Sequence, residues 1–254
     1  MRNIFDSHAH YNDEQFDIDR DSLLASLPEA GIVGIINCGT DVESSLLSIE
    51  MAEKYPFIYA ACGYHPESAL DFTDDNLLEI ENMLSQSKCI AVGEIGLEYH
   101  YDFVPKDVQK YVFEKHLELA VKYDMPVIVH DREAHADTME LLKKYNPKGV
   151  LHCYSGSAEM AKEVLKMGMY IGLGGAVTFK NAVKPVEVAE MIPLDRLLLE
   201  TDCPYMAPVP MRGKRNNSAY IEYVAEKIAD IRGISSQELL CITAENTKKL
   251  FNIK

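Results

Sequence analysis

Basic residues, paired cysteines and long apolar runs are all scarce in this 254-residue sequence. Lys and Arg together number 25 against 40 for Asp and Glu, a formal charge of -15. A surface of that sign repels polyanions and excludes a broad nucleic-acid groove, while a small metal-lined or locally cationic site for a phosphate remains compatible with it. The six cysteines (Cys38, Cys62, Cys89, Cys153, Cys203 and Cys241) form no C-x-x-C pair and sit in or beside apolar stretches. That pattern argues for reduced, mostly buried thiols and against a disulfide framework. The opening "MRNIFDSHAH" has no apolar signal-peptide core, and no run reaches the roughly 18 residues of a membrane span. A soluble cytoplasmic protein with no membrane association is therefore expected. No composition break, low-complexity tract or separate repeat appears, so residues 1–254 are read as a single domain, long enough for a substantial core.

What the sequence does have is alternation. Eight short apolar runs, "NIFDSH", "GIVGIINCG", "FIYAACG", "CIAVGEIG", "PVIVHD", "GVLHCYSG", "MYIGLGG" and "RLLLETD", read as strands. Between them lie stretches such as "DVQKYVFEKHLELAVKY", with apolar residues three and four apart, that read as amphipathic helices. Strand–helix alternation implies parallel pairing through right-handed crossovers, and eight units in this length fit an α/β fold, a (β/α)8 TIM barrel. The competing doubly wound sheet lacks its G-x-G-x-x-G turn, because the first strand runs into "DSHAH". "IGLGG" is read as a tight strand-to-loop turn. Two helices around "SAYIEYVAEKIADIR" and "SSQELLCITAENTKKLF" are expected to flank or cap the barrel, after an irregular loop from Cys203 to Asn217.

Five of the eight histidines fall at or beside predicted strand ends: His8 and His10, His65, His130 and His152. Glu94 and Asp202 do the same. A parallel barrel brings all such ends to one rim. His8 and His10 are alternate strand residues on one face, and an unpartnered carboxylate such as Glu94 within an apolar strand requires a cation, a base or dense hydrogen bonding. Four imidazoles (His8, His10, His130, His152) with Glu94 and Asp202 suit divalent ions such as Zn, Mn, Fe or Mg. Six donors exceed one catalytic tetrahedral ion with an open position and suit two cations sharing a carboxylate. Strand alternation should turn the Cys153 sulfur away from this rim into the packing.

The ordered motifs "DSHAH", "GYHP", "GEIGLEYHYD", "PVIVHDREA", "HCYSG" and "LLLETDCPYMAP" resemble those of the TatD-type metal-dependent hydrolases, often described as deoxyribonucleases, among the amidohydrolase barrels. The resemblance runs through essentially the whole chain. It implies that His8, His10 and Asp202 bind one metal, that Glu94 bridges, and that His130 and His152 hold the second. It also implies the barrel fold and hydrolysis of DNA phosphodiester bonds from the 3′ end. Two departures stand out. Glu98 replaces the Asp usual after "GEIGL", and "NSAY" (Asn217 to Tyr220) replaces a Glu-x-Pro-like segment in a loop expected to touch substrate.

The expected chemistry is attack on phosphorus by a water made acidic between the two cations, with Asp202 as general base or as ligand only. His65 would bind a phosphate oxygen or assist the leaving group. Arg132, and Arg212 and Arg215 with Lys214 in the long loop, would contact phosphate or a 3′ terminus. Tyr154 and Tyr205 either stack on bases or pack. The expected partner is DNA or another phosphodiester at single-stranded ends, with no obligate protein partner. An amide or ester hydrolase, for example one deacylating aminoacyl esters, uses the same centre on a carbonyl. A barrel that had lost turnover and served as a scaffold would lack ligands, and none of the six is missing.

Overall fold

Each apolar run must hide two faces, and a ring of eight parallel strands hides one against helices and the other in its own interior. The computed structural model, which describes residues 1–254, shows β1 (Ile4–Ala9), β2 (Ile32–Cys38), β3 (Ile58–Cys62), β4 (Cys89–Glu98), β5 (Val127–Arg132), β6 (Gly149–Leu151), β7 (Tyr170–Leu173) and β8 (Leu197–Leu199). Neighbours pair parallel in chain order. The ring is completed just beyond β8, where the Asp202 N–H donates to the His8 carbonyl at 3.0 Å and the His10 N–H donates to the Cys203 carbonyl at 2.8 Å. The expected (β/α)8 barrel is the observed fold.

Nine helices follow the strands: α1 (Arg20–Ser26), α2 (Val42–Lys54), α3 (Asp74–Met83), α4 (Lys106–Tyr123), α5 (His135–Tyr145), α6 (Ala158–Lys166), α7 (Lys184–Met191), α8 (Ile221–Arg232) and α9 (Ser236–Leu250). Starts are fixed by side-chain caps: Asp41 and Thr73 form capping boxes, and Ser157 and Ser235 accept from the first turns of α6 and α9. No helix is long and apolar enough to cross a membrane.

The core divides in two. A large cluster joins one face of the strands to the helices, as in Ile35, Ile58, Val127, Val129, Leu197 and Leu199. A second cluster draws on every strand, with Phe5, Ile36 and Cys38, Ala61, Ala91, Ile128, Val150, Tyr170 and Leu198, met by Ala244 and Phe251. Eight strands can share one contact cluster only inside the barrel, so this is the floor of its interior. Strand residues alternate in direction, so where the register does not shift the position two beyond a floor residue faces the same interior one layer higher. Beyond Ile128 on β5 stands His130, while His152 and Glu200, two positions after Val150 and Leu198, and then Asp202 follow just past the ends of β6 and β8.

β6 and β8 stop after three residues each, so His152 and Asp202 lie just past strand ends. For the same reason strand alternation does not govern Cys153. It adopts a left-handed backbone (φ 41°) and lines a cavity of about 460 Å³ beside His152, where packing away from the rim was expected.

Candidate metal centre

Glu94 is the hub of the site. Its side chain is 3% exposed, and five imidazole nitrogens surround it. On Oε2, His8 Nε2 lies at 3.2 Å and His10 Nε2 at 3.1 Å. On Oε1, His152 Nε2 lies at 2.8 Å, His130 Nδ1 at 2.9 Å and His65 Nε2 at 3.5 Å. Asp202 Oδ1 closes the other side, 3.6 Å from His8 Nε2 and 3.5 Å from His10 Nε2. Three overlapping trios could each hold an ion: His8, His10 and Glu94; His8, His152 and Asp202; and His65, Glu94 and His130. Residues from β1 to the end of β8, nearly 200 positions apart, thus meet at one mouth of the barrel.

Acceptors behind the imidazoles decide what the inner nitrogens present. His10 Nδ1 sits 2.9 Å from the Cys38 carbonyl, which can only accept, so the proton is on Nδ1 and Nε2 turns a lone pair inward. His130 Nε2 lies 3.2 Å from Glu98 Oε2, which likewise leaves Nδ1 as the inward lone pair. Glu200 Oε1 stands 3.6 Å from His152 Nδ1, a charge contact beyond hydrogen-bond distance, and Cys38 Sγ, which can donate or accept, stands 3.4 Å from His8 Nδ1, so the tautomer is fixed by an acceptor only at His10 and His130. His8 Nε2 and His10 Nε2 are 2.9 Å apart. Lone pairs converging with two carboxylates in a nearly dry pocket repel one another unless a cation or proton lies between them, and outer acceptors of this kind orient histidine ligands in metal sites. The donor set therefore fits divalent cations.

A family model described as TatD related DNase matches residues 5–252. The chain belongs to this TatD family. It is 45% identical over 253 residues to a Bacillus subtilis protein described as the uncharacterized metal-dependent hydrolase YabD, covering 98% of this chain and 99% of that one. It is 31% identical over 259 residues to a protein of Erwinia tasmaniensis named 3′-5′ ssDNA/RNA exonuclease TatD, covering 98% and 100%. The structure of YjjV, a TatD homologue from Escherichia coli K12, superposes with a TM-score of 0.94 at 32% identity over 99% of both chains. The protein is thus a TatD-family metal-dependent hydrolase.

Electrostatics in this TatD-family centre follow from the same contacts. Burial alone would raise the Glu94 carboxyl, but His152, His8 and His65 hold it well below the usual range. Burial likewise opposes ionisation of Asp202, and His10, His8 and His152 outweigh it and keep the group low. Against burial, Asp202 and Glu94 lift His10 to about 10, and Glu94 and Glu98 lift His130 to about 9. Without cations the pocket thus holds protons, which metal binding must displace.

His65 differs from the other four histidines. Its Nδ1 accepts the Glu67 N–H at 3.2 Å, which leaves the proton on Nε2, the nitrogen that faces Glu94 and the cleft. Burial pushes its pKa down to about 3, so the ring is a neutral donor. Arg132 lines the cleft of about 610 Å³ above the centre, with Nη1 3.7 Å from Glu98 Oε2. Arg212 and Arg215 do not line it. Arg212 lies over the Phe179 ring and donates to the Ala207 carbonyl, while Arg215 makes a two-pronged pair with Asp19 at 2.8 and 2.6 Å. Tyr154 is buried, and Tyr205 lines the cleft with its hydroxyl on Asp13.

The two departures from the TatD pattern have defined places. Glu98 accepts from His130 with one oxygen and from the His100 N–H (2.7 Å) with the other, so the longer carboxylate still backs a site histidine. The "NSAY" segment turns inward: Asn217 caps the turn that follows it, and Ser218 Oγ donates to Asp6 Oδ2 at 2.7 Å. Asp6 is fully buried beneath His8 and also accepts from the His8 and Thr201 amides and the Thr201 hydroxyl. Burial raises it to about 7 against those four donors. Sequence reasoning singled out neither Asp6 nor Glu200. Both sit in quoted motifs, and a carboxylate two residues before a ligand at a strand end is the signal that could have found them. Gly172 makes the room for Glu200, since a Cβ there would lie 2.4 Å from Oε2.

Proposed function

We propose that the protein hydrolyses phosphodiester bonds at single-stranded nucleic-acid ends, working from the 3′ end with two divalent cations held by His8, His10, Glu94, His130, His152 and Asp202. The observation that carries this reading is the inward convergence of imidazole lone pairs on Glu94 and Asp202 beneath an open cleft. The name of the Erwinia tasmaniensis relative supports the choice of nucleic acid and of direction. When bound, the cations supply positive charge that acidifies water and offsets charge on phosphoryl oxygens.

The chain's own groups divide the remaining work. Asp202 is the general base: its side chain is 19% exposed against 3% for Glu94, and it stays ionised, so it can take a proton from attacking water. Glu94, sealed from solvent, holds the imidazoles together. His65 offers its Nε2–H to a phosphoryl or leaving-group oxygen, and Arg132 at the cleft wall pairs with phosphate. A formal net charge of -15, which offers no broad basic track for a duplex, favours single strands.

The test is turnover of end-labelled single-stranded DNA and RNA by metal-reconstituted protein, run beside carboxylic ester and amide substrates. A product ladder growing from the 3′ end is the expected result. Turnover of carbonyl substrates alone would replace this reading with an ester or amide hydrolase.

A further inference from the structure

We propose that Arg132, Tyr101 and Phe103 form a stacking platform for an unpaired nucleobase beside the phosphodiester in the cleft, an inference that rests on the nuclease reading above. The β4–α4 loop, residues 99–105, puts two aromatic rings into solvent. Tyr101 is 44% and Phe103 54% exposed, their centroids are 5.5 Å apart and their planes lie within 25° of parallel. The Arg132 guanidinium lies 5.1 Å from the Tyr101 centroid. Tyr101 and Arg132 both line the metal cleft, so the stacked planes run from the cleft wall outward.

Exposed aromatics are unfavourable in water, and a floppy loop would let them collapse. This loop is held at both ends. Gln109 accepts from the Glu98 N–H at 2.8 Å and donates to the Glu98 and Val104 carbonyls at 2.9 and 3.0 Å. Tyr99 bonds Asp137 at 2.7 Å beneath Lys106, and His100 bonds Glu133 at 2.8 Å while meeting the Tyr101 ring edge-on. The base of the loop is thus held in place, and Tyr101, stacked between Arg132 and Phe103, and the more exposed Phe103 ring stand beside the polar centre. Stacking on aromatic rings and guanidinium planes is sequence-tolerant, because every base has a π-face.

The charge of the protein makes the same demand from another direction. With 25 basic residues against 40 acidic ones, counterion release can add little to binding, so affinity for a strand must come from contacts insensitive to salt. A stacked base supplies one. KM should therefore change less than about tenfold between 50 and 200 mM salt, where a protein making 6–10 phosphate contacts loses about a thousandfold or more.

The test uses metal-loaded full-length protein and oligothymidylates that carry either normal nucleotides or an abasic residue at the terminal or the penultimate position. Removing the base should raise the wild-type KM about fivefold or more at one of these positions, with kcat little changed. Tyr101→Ala and Phe103→Ala should raise KM similarly on the normal strand and add nothing on the abasic one, a non-additivity that reports direct contact. Tyr101→Phe should restore the wild-type KM. Equal KM for normal and abasic strands, or a Tyr101→Ala effect of the same size on both, overturns the platform while leaving the nuclease reading in place. Absence of turnover on every oligonucleotide overturns the nuclease reading and the platform with it. Self-association abolished by Phe103→Ala, with KM unmoved, assigns the patch to a protein contact and also overturns the proposal.

Discussion

Glu98→Gln offers a sharp test of how the site is built, because it changes one atom in a residue that need not touch a cation. Glu98 accepts two hydrogen bonds, from the His100 amide at 2.7 Å and from His130 Nε2 at 3.2 Å. A carboxylate accepts on both oxygens, whereas a carboxamide accepts on one and donates from the other. The variant must therefore leave one of those donors facing an NH2 group. The shorter backbone bond will be kept, and His130 Nε2 loses its acceptor. The imidazole then has no reason to keep its proton outside, and its inner Nδ1, 2.9 Å from Glu94, no longer presents a fixed lone pair. Removal of such supporting partners lowers metal affinity or activity by about 10–100-fold, or about 1.4–2.7 kcal/mol. Glu98→Asp keeps the charge and both acceptors and should lose less. Calorimetric titration of the metal-free variants with Mn or Zn, at fixed pH, measures this without any substrate. Wild-type affinity in Glu98→Gln would show that His130 is not oriented through Glu98.

Further expectations follow from the same geometry. Glu94→Ala should reduce hydrolysis to background and lower bound metal with far-UV circular dichroism unchanged; full activity would contradict its central role. Removing cations with a chelator should lower the melting temperature, and restoring metal at about 100 times its Kd should return about 2.7 kcal/mol of stability; an unmoved transition would mean that the folded centre does not bind the ion. Fully buried His116 donates from Nδ1 to the Val112 carbonyl, its Nε2 has no partner, and burial pushes its pKa from 6.5 down to about 4. Its neutral form belongs to the folded state, so the contribution is whole above pH 6.5 and is lost as pH falls towards 4, amounting to about 3 kcal/mol. Denaturant titrations should show His116→Leu gaining on the wild type by about that amount between pH 7 and pH 4; parallel curves would remove His116 as a source of acid sensitivity.

The barrel and its chemical rim were legible in the sequence because both are carried by periodicity. Alternation of strand and helix gave the fold, and His130, His152 and Asp202 stand two or four residues beyond floor positions Ile128, Val150 and Leu198. β1 and β4 break that rule. From Phe5 the same face should continue to Ser7, and from Ala91 to Gly93, yet His8 and Glu94 are the residues at the centre. The pairing register shifts between Asp6 and Ala9 and again between Val92 and Ile95, which moves the inward file by one residue on each strand. Composition does not announce such a shift. Arg215 was illegible for another reason: a basic loop residue looks alike whether it meets phosphate or Asp19, and only the distant α1 region decides.

Those irregularities indicate what the fold gives up for the site. Two strands slip register, Asp202 and Cys153 take left-handed backbone conformations (φ 57° and 41°) that branched or bulky residues avoid, and Asp6, Glu94 and Glu200 lie in the interior as carboxyl groups. Each is unfavourable alone. They are tolerated because the layer below them is a closed ring of apolar contacts, to which every strand contributes, that does not depend on what happens above it. Polar groups crowd where strands end and backbone pairing is already giving way, and cations there would turn mutual repulsion among imidazoles and carboxylates into attraction. Stability is therefore concentrated in the barrel floor and chemistry in its mouth, so changes of ligand at the rim should alter metal binding far more than folding.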